Sequence, residues 1–256
     1  MAELPMRIPI RSPSAYSLGF TLIELAIVLF IVTLLLGGVL TPLGQQITER
    51  QSAETRRALE TARIALVGYA LRPTGRAGPL PCPDMRGGTG DNSGNRADDG
   101  LEDRLENGIC ATLSGNLPWN TLGLPEGDAW GNRLGYAVTA EWASASGLQS
   151  PPTNQPANEL LQICTDRNCT RPIPAAALVL SHGRNGFGAY NGSGKQNLAP
   201  TSADEMENLD ADGRFVMRPP RAADRPGGEF DDLLLPLSAD WLRGRLCDPA
   251  SLCQSM

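Results

Sequence analysis

The sequence predicts an α+β chain in which one long N-terminal helix, made of a membrane half and an amphipathic half, packs on a small antiparallel sheet. Three observations predict it. From Phe20 to Leu40 the chain is apolar apart from one charge, Glu24, and a little threonine, and about 20 such residues suffice for a helix to cross a bilayer. From Gly44 to Leu71, the residues Ile47, Leu59, Ala62, Leu66, Tyr69 and Ala70 recur at spacings near three and four, with Arg50, Glu54, Arg56, Arg57, Glu60 and Arg63 between them. That is the pattern of an amphipathic helix. The 28 Gly and 21 Pro of the 256 residues favour, for the part after Pro73, short strands and loops over a helical bundle.

Taken in order, residues 1–19 carry Arg7 and Arg11 against Glu3, so the positive-inside rule leaves them cytoplasmic and sends the remainder outward after a single pass. A cleaved secretory signal has an apolar region of only about 7–15 residues ending at a small-residue site, and no A-x-A follows Leu40. One continuous helix from Phe20 to Leu71 would span on the order of 78 Å at about 1.5 Å per residue. Gly37-Gly38, Pro42 and Gly44 should kink or loosen it, and Pro73 marks its end. Residues 73–135 are rich in Gly, Pro and Asp, with Trp119 and Trp130 as core pegs. Tyr136–Trp142, Ala176–Ser181 and Arg214–Met217 read as strands, and Leu233–Leu237 as a fourth that Pro236 puts at an edge. Gln149–Asn158 and His182–Asp212 read as polar loops. The expected organisation is a leader at 1–19, a membrane and assembly half at 20–43, an amphipathic half at 44–72, and an outward, loop-rich domain at 73–256.

A formal charge of -6 and a pI near 4.9 argue against nucleic acid as a partner, since no basic patch would neutralise phosphates. The six cysteines, Cys82, Cys110, Cys164, Cys169, Cys247 and Cys253, all follow the apolar run, and an outward-facing domain lies in an oxidising compartment that favours disulfides. Six cysteines allow 15 pairings. Closeness along the chain suggests Cys82 with Cys110, Cys164 with Cys169, and Cys247 with Cys253. A zinc reading fails on spacing, because there is no C-x-x-C and His182 is the only histidine. Nothing points to an enzyme. His182 follows Ser181, but no G-x-S-x-G elbow exists, and the loop histidine reads as solvated. The stretch ending in Gly194-Lys195 lacks the first glycine and the hydroxyl of a phosphate loop.

The run Gly19-Phe20-Thr21-Leu22-Ile23-Glu24-Leu25 closely resembles the cleavage and methylation motif of type IV prepilins. The resemblance implies cutting after Gly19 by a prepilin peptidase, methylation of the new Phe20 amine, and a mature chain of residues 20–256 with Glu24 as its fifth residue. Glu24 would act in assembly, because an ionisable group within a spanning helix is expensive and functional by default. Leu80-Pro81-Cys82-Pro83-Asp84, Leu117-Pro118-Trp119, Asp128-Ala129-Trp130-Gly131-Asn132 followed by Tyr136, and Phe230-Asp231-Asp232-Leu233 resemble segments of minor pilins and type II secretion pseudopilins. The resemblance implies a pilin-like fold and other pilin or pseudopilin subunits as partners. It places the chain in the inner membrane, with its C-terminal domain in the periplasm before assembly. A membrane-anchored periplasmic enzyme or binding module, using the helix only as a tether, is the alternative.

Two acidic loops are candidates for calcium. Asp91, Ser93, Asn95, Asp99 and Glu102 fall at positions 1, 3, 5, 9 and 12 of a calcium-loop frame, although Arg96 stands where the frame wants glycine. Asp231 and Asp232 are the second candidate, since the pseudopilins that the chain resembles bind calcium in a late loop. The competing reading is solvated acidic turns.

Overall fold

The computed structural model describes residues 19–71, 78–87, 96–144 and 160–246, with the side chains of residues 36–43 outside that description. The chain divides into two units after Ile47. Helix α1 (Leu22–Ala70) begins in the first and ends in the second, and its helical assignment is unbroken at Gly37-Gly38 and Pro42.

In the first unit, Thr21 and Glu24 cap the start of α1 reciprocally. Thr21 N donates to Glu24 Oε2 at 3.4 Å, and Glu24 N donates to Thr21 Oγ1 at 3.3 Å. This capping box satisfies two backbone donors that a helix start leaves open. Among the described residues no helix is long and apolar enough to cross a membrane. The described side chains from Phe20 to Leu35 are all exposed.

The second unit is an α+β body. Its elements after α1 are β1 (Ser114–Asn116), α2 (Trp119–Leu122), β2 (Gly135–Val138), α3 (Ala140–Ala143), β3 (Leu161–Cys164), β4 (Ile173–Ala175), β5 (Ala177–Ser181), α4 (Ala203–Glu207), β6 (Arg214–Val216), β7 (Leu233–Leu237) and α5 (Ala239–Leu246). Strands β1-β2-β5-β7 form an antiparallel sheet. A second sheet, β4-β3-β6, is mixed, because β3 runs parallel to β6.

The side chains of β2 and β5 alternate between two cores, as the period-2 geometry of a strand requires. Tyr136, Val138, Ala177 and Val179 join Leu59, Ala62, Leu66 and Ala70 of α1, with Trp142, Leu237, Leu242 and Leu246. Ala137 and Leu178 point the other way and meet Leu161, Ile163, Ala175 and Phe215 of the second sheet. A large apolar side chain buried this fully contributes about 1.5–3 kcal/mol.

Several expectations need correction. The segment read as a strand to Trp142 stops at Val138. Ala140–Ala143 then form a helical turn that places Trp142, 0% exposed, against the α1 stripe. Trp130 is half-buried and no core peg, whereas Trp119 is buried. The loop expected at His182–Asp212 contains α4. Strands β1, β3 and β4 were not anticipated, and the expected sheet is joined by a mixed one. Pro236 does lie on an edge strand, β7.

Cys82 pairs with Cys110, 28 residues on, and Cys164 with Cys169, 5 residues on; Cys247 and Cys253 lie outside the described residues. Cys82 and Cys110 both sit in the first core. Replacing both with serine should lower stability by about 2–4 kcal/mol. The Cys164–Cys169 pair should cost less, because it closes a shorter loop. Urea unfolding under non-reducing conditions compares the two.

Asp84 is fully buried and accepts hydrogen bonds from Asp98 N at 3.0 Å and Gly100 N at 3.2 Å. Burial, with Asp103 and Asp99 nearby, raises its pKa from 3.8 to about 7 despite those donors. A carboxyl raised in the folded state holds a proton that the unfolded chain releases. Its stabilising effect is complete below the unfolded value and lost as pH climbs through about 7. Melting curves from pH 4 to 8 should therefore fall more steeply for the wild type than for Asp84→Asn, and parallel curves would remove Asp84 from the account.

Candidate functional site

Gly19 and Phe20 precede the first turn of α1 and are exposed, and Glu24 is exposed with its carboxylate folded back onto Thr21. The junction is thus open, and the acidic side chain that follows it is the helix cap.

The first acidic loop is only partly within the described residues. Asp91, Ser93 and Asn95 fall outside them. Glu102 is committed elsewhere: Tyr69 OH donates to Oε1, while Cys82 N at 3.1 Å and the Arg104 guanidinium at 3.1 Å bind Oε2. Asp99 Oδ1 accepts from Leu101 N at 2.9 Å. Neighbouring Asp98 binds Arg133 Nη1 at 2.8 Å, Asn116 Nδ2 at 2.9 Å and Gly87 N at 2.9 Å. Both oxygens of Glu102 are thus taken by protein donors, which corrects the reading of Glu102 as an ion ligand.

The late pair is different. Asp231 and Asp232 are joined by Glu205 of α4, and one ligand atom from each lies within 4.8 Å of the others, a group able to hold a metal ion. Asp232 is 4% and Glu205 2% exposed, so solvated turns do not describe them. Glu205 Oε1 accepts from Asp231 N at 3.0 Å and Asn185 Nδ2 at 3.1 Å. Asp231 Oδ2 accepts from Asn185 N at 2.9 Å, and Asp232 Oδ2 from Asn208 Nδ2 at 2.6 Å. Desolvation, then mainly the charge of Asp232, lifts Glu205 to about 7, and desolvation lifts Asp231 to about 6. Arg218 and Arg221 are turned onto Asp204 at 2.6 and 3.1 Å, so these two arginines pair with a different carboxylate.

No protein family, curated protein or solved structure matches the chain. The site therefore stands on its own geometry. A second acidic group, Glu207, Asp210 and Asp212, is more exposed, and Arg214 already pairs with Glu207 and Asp212.

Sequence reasoning found Asp231 and Asp232 but missed Glu205, Asn185 and Asn208, and read His182 as solvated. His182 is 1% exposed. The available signal was strand register: Ser181 pairs with Leu233, which sets His182 opposite Asp232. Ser181 itself donates to Asp128 Oδ2 at 2.6 Å instead of facing the imidazole.

Gly183 has φ +60°, and a Cβ there would collide with the backbone and carboxylate of Asp231. Gly183→Ala should destabilise the protein by about 1–3 kcal/mol through the strained dihedral alone, with further loss from displacing Asp231. Urea unfolding would show this, and an unchanged midpoint would mean that the loop relaxes freely.

Proposed function

We propose that the chain is a structural subunit, of the minor kind, of a type IV pilus or type II secretion pseudopilus, processed by prepilin peptidase and assembled through its N-terminal helix. The observation that carries this is the exposed Gly19-Phe20 junction, followed directly by a helix whose described side chains to Leu35 are apolar and without cover apart from Glu24 and Thr33. Apolar surface on that scale marks a membrane or protein contact. In this reading the run from Phe20 to Leu40 lies in the inner membrane before assembly, and the α+β body is the periplasmic, pilin-like domain. The size of that body, which makes up most of the chain, favours a minor subunit.

Glu24 has two separable roles here. As a cap it accepts from Thr21 N; as a charge it would offset the Phe20 amine created by cleavage, in the same or a neighbouring subunit. An isolated charge in hydrocarbon costs on the order of several kcal/mol, which pairing reduces. Calcium is the ion that the resemblance attaches to the late loop, where Asp231 and Asp232 offer hard oxygen donors.

Intact-mass measurement on protein from its native membrane should give a chain starting at Phe20 with a methylated amine. Gly19→Leu should accumulate as the full-length precursor. Glu24→Gln keeps the cap and removes the charge, whereas Glu24→Ala removes both. Equal loss of fibre incorporation in the two variants identifies the charge as the working element, and loss in alanine alone identifies the cap. Normal processing of Gly19→Leu, with incorporation untouched by either Glu24 variant, would leave the helix as a plain tether for a periplasmic module.

A further inference from the structure

Asparagine followed two residues later by serine or threonine, with no proline between, is the acceptor triplet for an N-linked sugar and belongs to a surface loop. It occurs twice in the chain, at Asn168-Cys169-Thr170 and at Asn191-Gly192-Ser193. The fold treats the two differently. At the second, the asparagine is half-buried and its carboxamide is engaged at both ends: Nδ2 donates to Asn197 Oδ1 at 3.1 Å, and Oδ1 accepts from Ser193 N at 3.0 Å and Ser193 Oγ at 2.6 Å. The amide that would react and the hydroxyl that a transferase would hold are both committed to a turn.

Asn168 is the opposite case. It stands in the connection from β3 to β4, on the short loop closed by Cys164–Cys169. Asp166 Oδ1 accepts from Asn168 N at 2.8 Å and from Cys169 N at 3.3 Å, so the turn is fixed through its backbone and draws on neither side chain of the triplet. Asn168 and Thr170 are exposed, and among the described residues neither the carboxamide nor the hydroxyl has a partner. Asn168 also lines a groove of ≈ 530 Å³ with Thr201, Glu207 and Asp210, where the hydroxyls of an attached sugar would meet acceptors. The triplet alone would select both sites; burial and hydrogen bonding select one.

We propose that Asn168 is the acceptor for an N-linked glycan, transferred from a sugar carried on a polyprenyl diphosphate. In the transfer Nδ2 forms a bond to C1 of the first sugar while the bond from C1 to the diphosphate oxygen breaks. The diphosphate leaves with that electron pair, and the amide gives up one proton. No change of oxidation state is involved, so the lipid-linked sugar is the one co-reactant. Because the donor is anchored in the bilayer, the acceptor must be held beside the membrane on the face where the sugar is presented. The inference therefore rests on one part of the subunit reading, the α+β body lying in the periplasm and tethered to the inner membrane.

Full-length protein is taken from its native membrane, and intact mass and proteolytic peptides are read by mass spectrometry for the wild type, Asn168→Gln, Thr170→Val, Thr170→Ser and Asn191→Gln. The wild type should be heavier than its polypeptide by one glycan, carried on the peptide that contains Asn168. Asn168→Gln and Thr170→Val should lose that mass entirely, Thr170→Ser should keep it, and Asn191→Gln should leave it unchanged. Asn168 and Thr170 are exposed turn residues, so the variants keep the folded body, which a melting curve checks. A wild-type mass equal to that of the polypeptide overturns the proposal, as does a glycan that persists in Asn168→Gln. The same spectra read the N-terminus separately: an unglycosylated chain starting at Phe20 removes the acceptor site alone, and a glycosylated chain starting at Met1 removes the processed subunit and leaves the acceptor site standing.

Discussion

Strand β5 is the constraint on which the rest of the body depends. All five of its residues are buried, it pairs with β2 on one side and β7 on the other, and its alternate side chains enter different cores. Ala177 and Val179 meet the stripe of α1, and Leu178 meets the second sheet. A shift of one residue in its register would send Leu178 toward the helix and Val179 away, undoing both cores together. The same register sets His182 opposite Asp232 at the point where β7 begins.

Outside the two sheets, much of the backbone has no ladder to join, and carboxylates and amides take the place of neighbouring strands. Asp84 accepts from the amides of Asp98 and Gly100, Asp103 from Met85, and Asp128 from Trp130 and Asn132. Asn208 closes the turn from α4 to β6 by accepting from Val216 N at 2.7 Å. Buried backbone donors must find acceptors, and a loop-rich chain finds them in side chains. Arg133 completes one such region by binding Asp98 and Glu126 while lying 4.7 Å from the Trp119 ring centroid. The raised pKa values of Asp84 and Glu205 follow from burial and from neighbouring carboxylates, which outweigh the hydrogen bonds these groups accept.

What was legible in the sequence follows from the range of the forces involved. Strands β5, β6 and β7 were readable because their apolar residues are contiguous or alternate, and Pro236 announced an edge because it brings no amide to a ladder. The Ser114-Gly115-Asn116 strand carries no apolar signal. Its glycine is needed because a side chain there would collide with the Asp84 backbone. Ile173-Pro174-Ala175 is mostly exposed, and proline argues against a strand. In the candidate site, the aspartate pair was visible as a local cluster. Glu205 was not, because α4 reaches it from 26 residues away, and His182 looked solvated because what covers it lies in distant segments. The calcium-loop frame gave Glu102 a role that Tyr69, Cys82 and Arg104 had already taken, and oxygen spacing alone could not reveal that competition.

The two ends of the four-stranded sheet are unlike its middle. At one end β1 is three residues long and is bridged through Asn116 to Asp84. At the other, β7 carries a proline within a run of leucines. A five-residue strand of that composition, left open, would be a template for pairing with the same strand of another molecule, and proline interrupts the row of donors such pairing requires. Copies of this chain crowded side by side would therefore stay separate at their sheets, and association between them would be left to other surfaces.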